Sequence, residues 1–350
     1  MISRENFTEK NIRRLQDTNH RDPGLIERTI FAFGLLEALV KVGLNFVFKG
    51  GTSLMLLLPE PMRLSTDIDI VVDPDTDIEG YIDKARMVFP FIDAVEQIRE
   101  KKGLIEKRHF KFQYDSLLEP GEHSYILLDV LYEENHYEHI VKREIKNRLI
   151  ISEGENLTVA VPTADCILGD KLTAFAPHTT GIHFGKKNME IMKQFYDVVT
   201  LIDVFEDFEC VRKTFSAISR TEIEYRGINC SPDKSLLDTI SAAICIGSLG
   251  KYLPEDFPNY MEGTRKVTNH IFKLGFNMDQ ASRMTPKVIY LAASILTNTP
   301  FEIITNIEDY KSEKLTQPDI LMMKSFRKID LTGFGYLIKA DRLLKEYRCS

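Results

Sequence analysis

Residues 45–58 read NFVFKGGTSLMLLL, two apolar runs held apart by Lys49, two glycines and two hydroxyl residues. Phe46, Val47 and Phe48 are β-formers, and the run from Leu54 to Leu58 is long enough to begin a helix. A strand, a Gly50-Gly51 turn and a helix start are therefore expected in that order. Glycine lets backbone approach a guest closely, and the first helical turn presents N–H groups with no intrahelical acceptor, so such a junction can cradle an anion. A tight turn in which Thr52 or Ser53 merely caps the helix would have the same sequence. This stretch alone supports both readings.

Immediately downstream, past Pro59-Glu60-Pro61, comes Ser65-Thr66-Asp67-Ile68-Asp69-Ile70-Val71-Val72. Acid and apolar residues alternate with the period of a strand, so Asp67 and Asp69 project from one face and Ile68 and Ile70 from the other. Two neighbouring carboxylates repel each other, and a divalent cation with oxygen ligands, such as Mg²⁺, would reconcile them. A solvated edge strand would also carry them. A third acid, Asp129, interrupts the otherwise apolar run Ile126-Leu127-Leu128-Asp129-Val130-Leu131. A buried carboxylate must be paired, protonated or metal-bound. If the two strands are neighbours, Asp129 could share a cation with Asp67 and Asp69; a salt bridge to Arg63 or Lys111 would also satisfy it.

The wider chain sets the frame for these residues. With 350 residues, 43% hydrophobic and 28% charged, two domains of an ordinary globular protein are expected. A net charge of -7 excludes a uniformly basic nucleic-acid coat but allows a local basic patch. The five cysteines are scattered, without a CxxC pair, which points to reduced thiols in a cytoplasmic protein. The opening residues MISRENFTEKNIRRLQ lack the apolar core of a signal peptide, and no apolar run approaches the ~18 residues of a membrane span.

Helices are expected over 25–43 and 77–100, and strands over 45–48, 67–72, 109–114, 125–132 and 157–161. After Thr163 the pattern turns helical, over 163–176, 188–205, 207–219, 233–248 and beyond. The fold class is thus α+β: a mixed sheet flanked by helices in residues 1–160, then a mostly α-helical domain in 161–350.

The glycine pair after a strand, D-x-D on the next strand and a lone acid on a later one resemble the nucleotidyltransferase superfamily of DNA polymerase beta. Within it, FKGGTSL followed by RLSTDIDIVV resembles the AbiEii/AbiGii and MenT-like toxin nucleotidyltransferases of toxin–antitoxin and phage-defence systems. Val161-Pro162-Thr163 with Gly169-Asp170-Lys171-Leu172 is similar to the family's lysine-bearing helix, and Lys193-Gln194-Phe195-Tyr196-Asp197 to its later helix. The resemblance covers roughly residues 25–205. It departs at Gln194, where the family has an acid, and at Pro177-His178, where an arginine is common.

The resemblance implies a nucleotidyl transfer from an NTP, with Gly50, Gly51, Thr52 and Ser53 at the β and γ phosphates through N–H and hydroxyl groups. It implies Mg²⁺ (or Mn²⁺) held by Asp67, Asp69 and Asp129. Lys171 lies on the apolar side of its helix, so it either snorkels or reaches an anion, and the resemblance assigns it to phosphate. Asp197 would orient Lys171 or act as a base, unless it merely pairs with Lys193 one turn earlier. The implied acceptor is RNA, a tRNA 3′ end, with a cognate antitoxin as a further partner. Nucleotidylation of a protein side chain, or a non-catalytic NTP-binding module, are the alternatives. His136 and His139 carry helical spacing but no third zinc ligand, and His178 and His183 flank a loop that could meet substrate. Nine basic residues against five acids from Lys311 onward could grip RNA, or simply form a solvated helical end.

Overall fold

The computed structural model describes residues 1–98 and 106–349. The chain divides into two compact units. One comprises Met1–Thr163 together with Asn269–Leu274, and the other Ala164–Thr268 together with Gly275–Ser350.

In the first unit, chain order runs α1 (Glu9–Asn19), α2 (Pro23–Lys41), β1 (Val47–Lys49), α3 (Gly50–Leu57), β2 (Ile68–Val72), α4 (Glu79–Ala85), β3 (Asp93–Glu96), β4 (Glu106–Asp115), β5 (His123–Tyr132), β6 (Ile140–Glu144) and β7 (Thr158–Pro162). Among the described residues the strands form one mixed sheet in the order β3-β4-β5-β2-β1-β7-β6. β2 runs parallel to β5 and antiparallel to β1, and β4 is antiparallel to β5.

The sheet has one dry face. Ile68, Ile70 and Val72 of β2 are buried, as are Ile126, Leu128 and Val130 of β5 and Phe110, Phe112 and Tyr114 of β4. Phe31 of α2 stacks on Tyr114 with ring centroids 3.6 Å apart. Asp22 caps α2 by accepting from the Leu25 N–H at 2.9 Å, and Pro23 suits the first helical position. α2 also buries Glu27, whose Oε1 accepts from the Leu117 N–H at 2.5 Å; burial pushes this carboxyl above its ordinary value. Period-2 alternation then puts Asp69, Asp129 and His109 on the opposite face.

The expected helix over 77–100 is corrected. Among the described residues of that range only Glu79–Ala85 is helical, and Asp93–Glu96 pairs with β4 at one edge of the sheet. Pro90 has no N–H to continue a helix, and the open edge of β4 offers Asp93–Glu96 a ladder instead. Residues 99–100 of that expectation lie outside the described residues. The helix after the glycine pair also starts earlier than expected, because Gly50 and Gly51 are themselves its first residues. A short segment from far down the chain belongs to this unit as well. Leu64 N–H donates to the His270 carbonyl at 2.7 Å, and Phe272 N–H to the Met62 carbonyl at 3.0 Å.

The second unit is helical throughout its named elements: α5 (Ala164–Ala174), α6 (Asn188–Ile202), α7 (Phe208–Arg226), α8 (Pro232–Gly247), α9 (Phe257–Val267), α10 (Met278–Thr297), α11 (Phe326–Ile329) and α12 (Leu331–Cys349), with short 3-10 turns between the later ones. α5 packs on α6 and α7, while α10 packs on α8 and α12. The fold class is α+β, as the sequence implies.

Candidate active site

The site in the first unit grows from the junction of β1 and α3. Gly50 has φ +79, a left-handed conformation that side chains with a Cβ rarely adopt. A Cβ there would also stand 2.1 Å from Asp69 Oδ2. At Gly51 a Cβ would stand 2.3 Å from Arg63 Nη2 and 2.9 Å from Ser65 Oγ. The pair therefore makes room for a carboxylate on one side and a guanidinium on the other. No side chain caps the N-terminus of α3. Thr52 Oγ1 donates to the Asp67 carbonyl at 2.6 Å and Ser53 Oγ to the Gly50 carbonyl at 2.9 Å. In this arrangement both hydroxyls donate to backbone carbonyls. Thr52 ties α3 to the start of β2.

The acids follow from strand register. Asp69 stands opposite Lys49 on β1 and opposite Asp129 on β5. Asp67 lies just ahead of β2 and is exposed, whereas Asp69 and Asp129 are half-buried. Asp129 does not bond Arg63 or Lys111. Its Oδ1 lies 2.6 Å from Nδ1 of His109, the residue facing it across β4. Arg63 is buried and its Nη1 donates to the Leu64 carbonyl at 3.1 Å, while Lys111 rests over the Tyr125 ring at 4.4 Å. Among the described residues no group of three or more His, Cys, Asp or Glu side chains stands ready to hold a metal. The facing carboxylates nonetheless fit Mg²⁺ in their chemistry, since that ion commonly takes one or two carboxylates and fills its shell with phosphate oxygens and water.

In the second unit, Lys171 of α5 and Asp197 of α6 form an ion pair. Nζ lies 3.0 Å from Asp197 Oδ2, with side-chain exposures of 7% and 2%. Gln194 Oε1 accepts from the same ammonium at 2.9 Å. Both side chains of this pair are buried, so Asp197 meets the Lys171 ammonium away from solvent.

The family model for the nucleotidyl transferase AbiEii toxin of type IV toxin–antitoxin systems matches residues 34–260, from within α2 to within α9. The chain belongs to the AbiEii nucleotidyl transferase toxin family. It is an enzyme of the nucleotidyltransferase class, and the family's description makes it the toxin of a toxin–antitoxin pair. No curated protein matches the chain.

Other groups in this AbiEii chain have structural partners. His178 Nε2 bonds Asp256 Oδ2 at 2.8 Å, and its backbone N–H donates to Asp238 Oδ2 at 2.8 Å. His183 Nδ1 donates to the Pro177 carbonyl at 2.8 Å. Of the basic C-terminal groups, Lys339 pairs with Glu302, Arg342 with Glu313 and Arg348 with Asp319, so these charges are balanced within the helical unit. No helix among the described residues is long and apolar enough to cross a membrane. Sequence reasoning missed His109, Gln194, and the position of Arg63 and Ser65 against Gly51. Only strand register could have singled out His109; Arg63 and Ser65 carry no periodic signal at all.

Proposed function

We propose that this AbiEii toxin transfers a nucleoside monophosphate from an NTP to a hydroxyl at the 3′ end of tRNA, with Mg²⁺ or Mn²⁺ as cofactor. The observation that carries the reading is Asp69 facing Asp129 across paired strands, with the Gly50 turn closed against Asp69. In this reading residues 1–160 are the nucleotidyltransferase domain and 161–350 the helical C-terminal domain. Asp67, Asp69 and Asp129 would hold the cation, which when bound would draw charge from the triphosphate and lower the pKa of the attacking hydroxyl. The acceptor oxygen forms a bond to the α-phosphorus, the bond to pyrophosphate breaks, and the hydroxyl proton leaves toward a carboxylate of the site.

The chain itself supplies position and charge. The first-turn N–H groups of α3, at Gly50, Gly51, Thr52 and Ser53, face the β and γ phosphates, because a helix N-terminus favours anions. The family resemblance assigns Lys171 to phosphate, and Asp197 and Gln194 meet its ammonium. Thr52, through its bond to the Asp67 carbonyl, keeps β2 and its acids in place. A cognate antitoxin and a cytoplasmic setting complete the proposal.

The test offers the purified chain total RNA and total protein together, with Mg²⁺ and each labelled NTP in turn. Label is expected at tRNA 3′ ends, and Asp69→Ala should abolish it while leaving the melting temperature near that of the wild type. Label in protein alone would replace this reading with side-chain nucleotidylation. Label in neither, with NTP still bound, would leave a nucleotide-binding module instead.

A further inference from the structure

Asp129 is the acid that two neighbouring strands reach at once, standing opposite Asp69 on β2 and opposite His109 on β4. His109 Nδ1 lies 2.6 Å from Asp129 Oδ1, with side-chain exposures of 14% and 33%. An ionised carboxylate can only accept, so Nδ1 carries the proton of that bond. The pair is not needed to hold the strands together, because β4 and β5 are laddered from Glu106↔Tyr132 to Asp115↔His123. What the bond does is local. Like charges directly opposite on paired strands repel, so Asp129 facing Asp69 would swing away unless something held it.

We propose that His109 is a positioning residue of the transfer reaction, tethering Asp129 by Oδ1 so that Oδ2 keeps a fixed direction for cation and acceptor. The proposal rests on reading Asp69 and Asp129 as carboxylates of nucleotidyl transfer. Partners that orient metal ligands matter nearly as much as the ligands, and their loss commonly costs 10–100-fold in metal affinity or activity. His109 makes its contact through a single N–H donor. An asparagine amide can offer a donor from a similar place, whereas alanine offers none.

The experiment compares His109→Ala and His109→Asn in the full chain by two measurements. The first is steady-state transfer to whichever acceptor the wild type labels. His109→Ala should lower kcat by roughly ten- to a hundredfold with KM for the NTP unchanged, and His109→Asn should recover most of the loss. The second is Mn²⁺ titration followed by electron paramagnetic resonance, with a non-hydrolysable NTP analogue and no acceptor. His109→Ala should bind Mn²⁺ more weakly, and His109→Asn should restore the affinity. Wild-type kcat and Mn²⁺ affinity in His109→Ala would overturn the proposal. So would equal losses in both variants accompanied by a lower melting temperature, which describe a packing role. If the wild type labels no acceptor, the transfer reading fails, yet the Mn²⁺ isotherms still decide whether His109 holds Asp129. A wild type that binds no Mn²⁺ would overturn both.

Discussion

Lys171 lies on α5 beside Leu172 and is nearly as buried, yet it carries a charge. That is tolerable because Asp197 and Gln194 meet its ammonium at 3.0 and 2.9 Å. Breaking a buried pair leaves an uncompensated charge, which costs more than the pair itself contributes. Lys171→Ala should therefore lower stability by about 3–5 kcal/mol in chemical denaturation, apart from any loss of transfer. The double change Lys171→Met with Asp197→Leu should return most of that stability while transfer stays absent. A fully stable Lys171→Ala protein would contradict the buried pair. The lysine was legible in the sequence, because a cation on an apolar helical face needs a reason. Its partner was only half legible: the sequence pairs Asp197 with Lys193 as readily as with Lys171, and the packing of α5 on α6 is what brings Lys171 to it.

At the scale of the element, β1 and α3 show how two glycines act differently. Gly50 needs its residue type twice over, for its φ of +79 and for the Asp69 carboxylate against its backbone. Gly51 has no such φ, and the atom nearest its missing Cβ is the far end of Arg63. Gly50→Ala should cost about 1–2 kcal/mol from backbone conformation and also displace Asp69, so transfer should fall with stability. Gly51→Ala should cost less, because Arg63 has a long side chain that can move. Urea titration of both variants, with transfer rates alongside, checks this, and a fully active Gly50→Ala chain would refute it. The failed helix over 77–100 belongs to the same scale. Its first third obeys helical periodicity, but the end of the run is drawn to the edge of β4, the next strand, whose pairing a helical period does not record.

At the scale of the molecule, buried ionisable groups make stability depend on pH. Asp238 of α8 accepts from the His178 N–H and the Thr179 hydroxyl, both at 2.8 Å, and burial raises its carboxyl above the ordinary value. The folded chain thus retains a proton there that the unfolded chain releases. This stabilisation is complete below the ordinary carboxylate pKa and is lost as pH rises through the raised one. Asp238→Asn keeps an acceptor oxygen but cannot titrate. The melting temperature of the wild type minus that of Asp238→Asn should accordingly shrink as pH rises from about 4 upward through the raised value. A difference that stays flat or grows would reverse the assignment.

The sequence by itself determined which residues could share a face. Alternation in DIDIVV and ILLDVL separated acids from core, and the glycine pair marked a close backbone approach. It also carried the resemblance to nucleotidyltransferase toxins, because that pattern is local and ordered along the chain. Only the tertiary structure decided that β2 lies parallel to β5 with Asp69 against Asp129, and that His109 completes the row from β4. Only it showed Arg63 over Gly51 and Gln194 at Lys171. The physical reason is the same throughout. Periodicity reports a residue's own face, through a backbone repeat of two or 3.6 residues. Which strand or helix lies across that face is chosen by packing between segments far apart in sequence, and no local pattern records the choice.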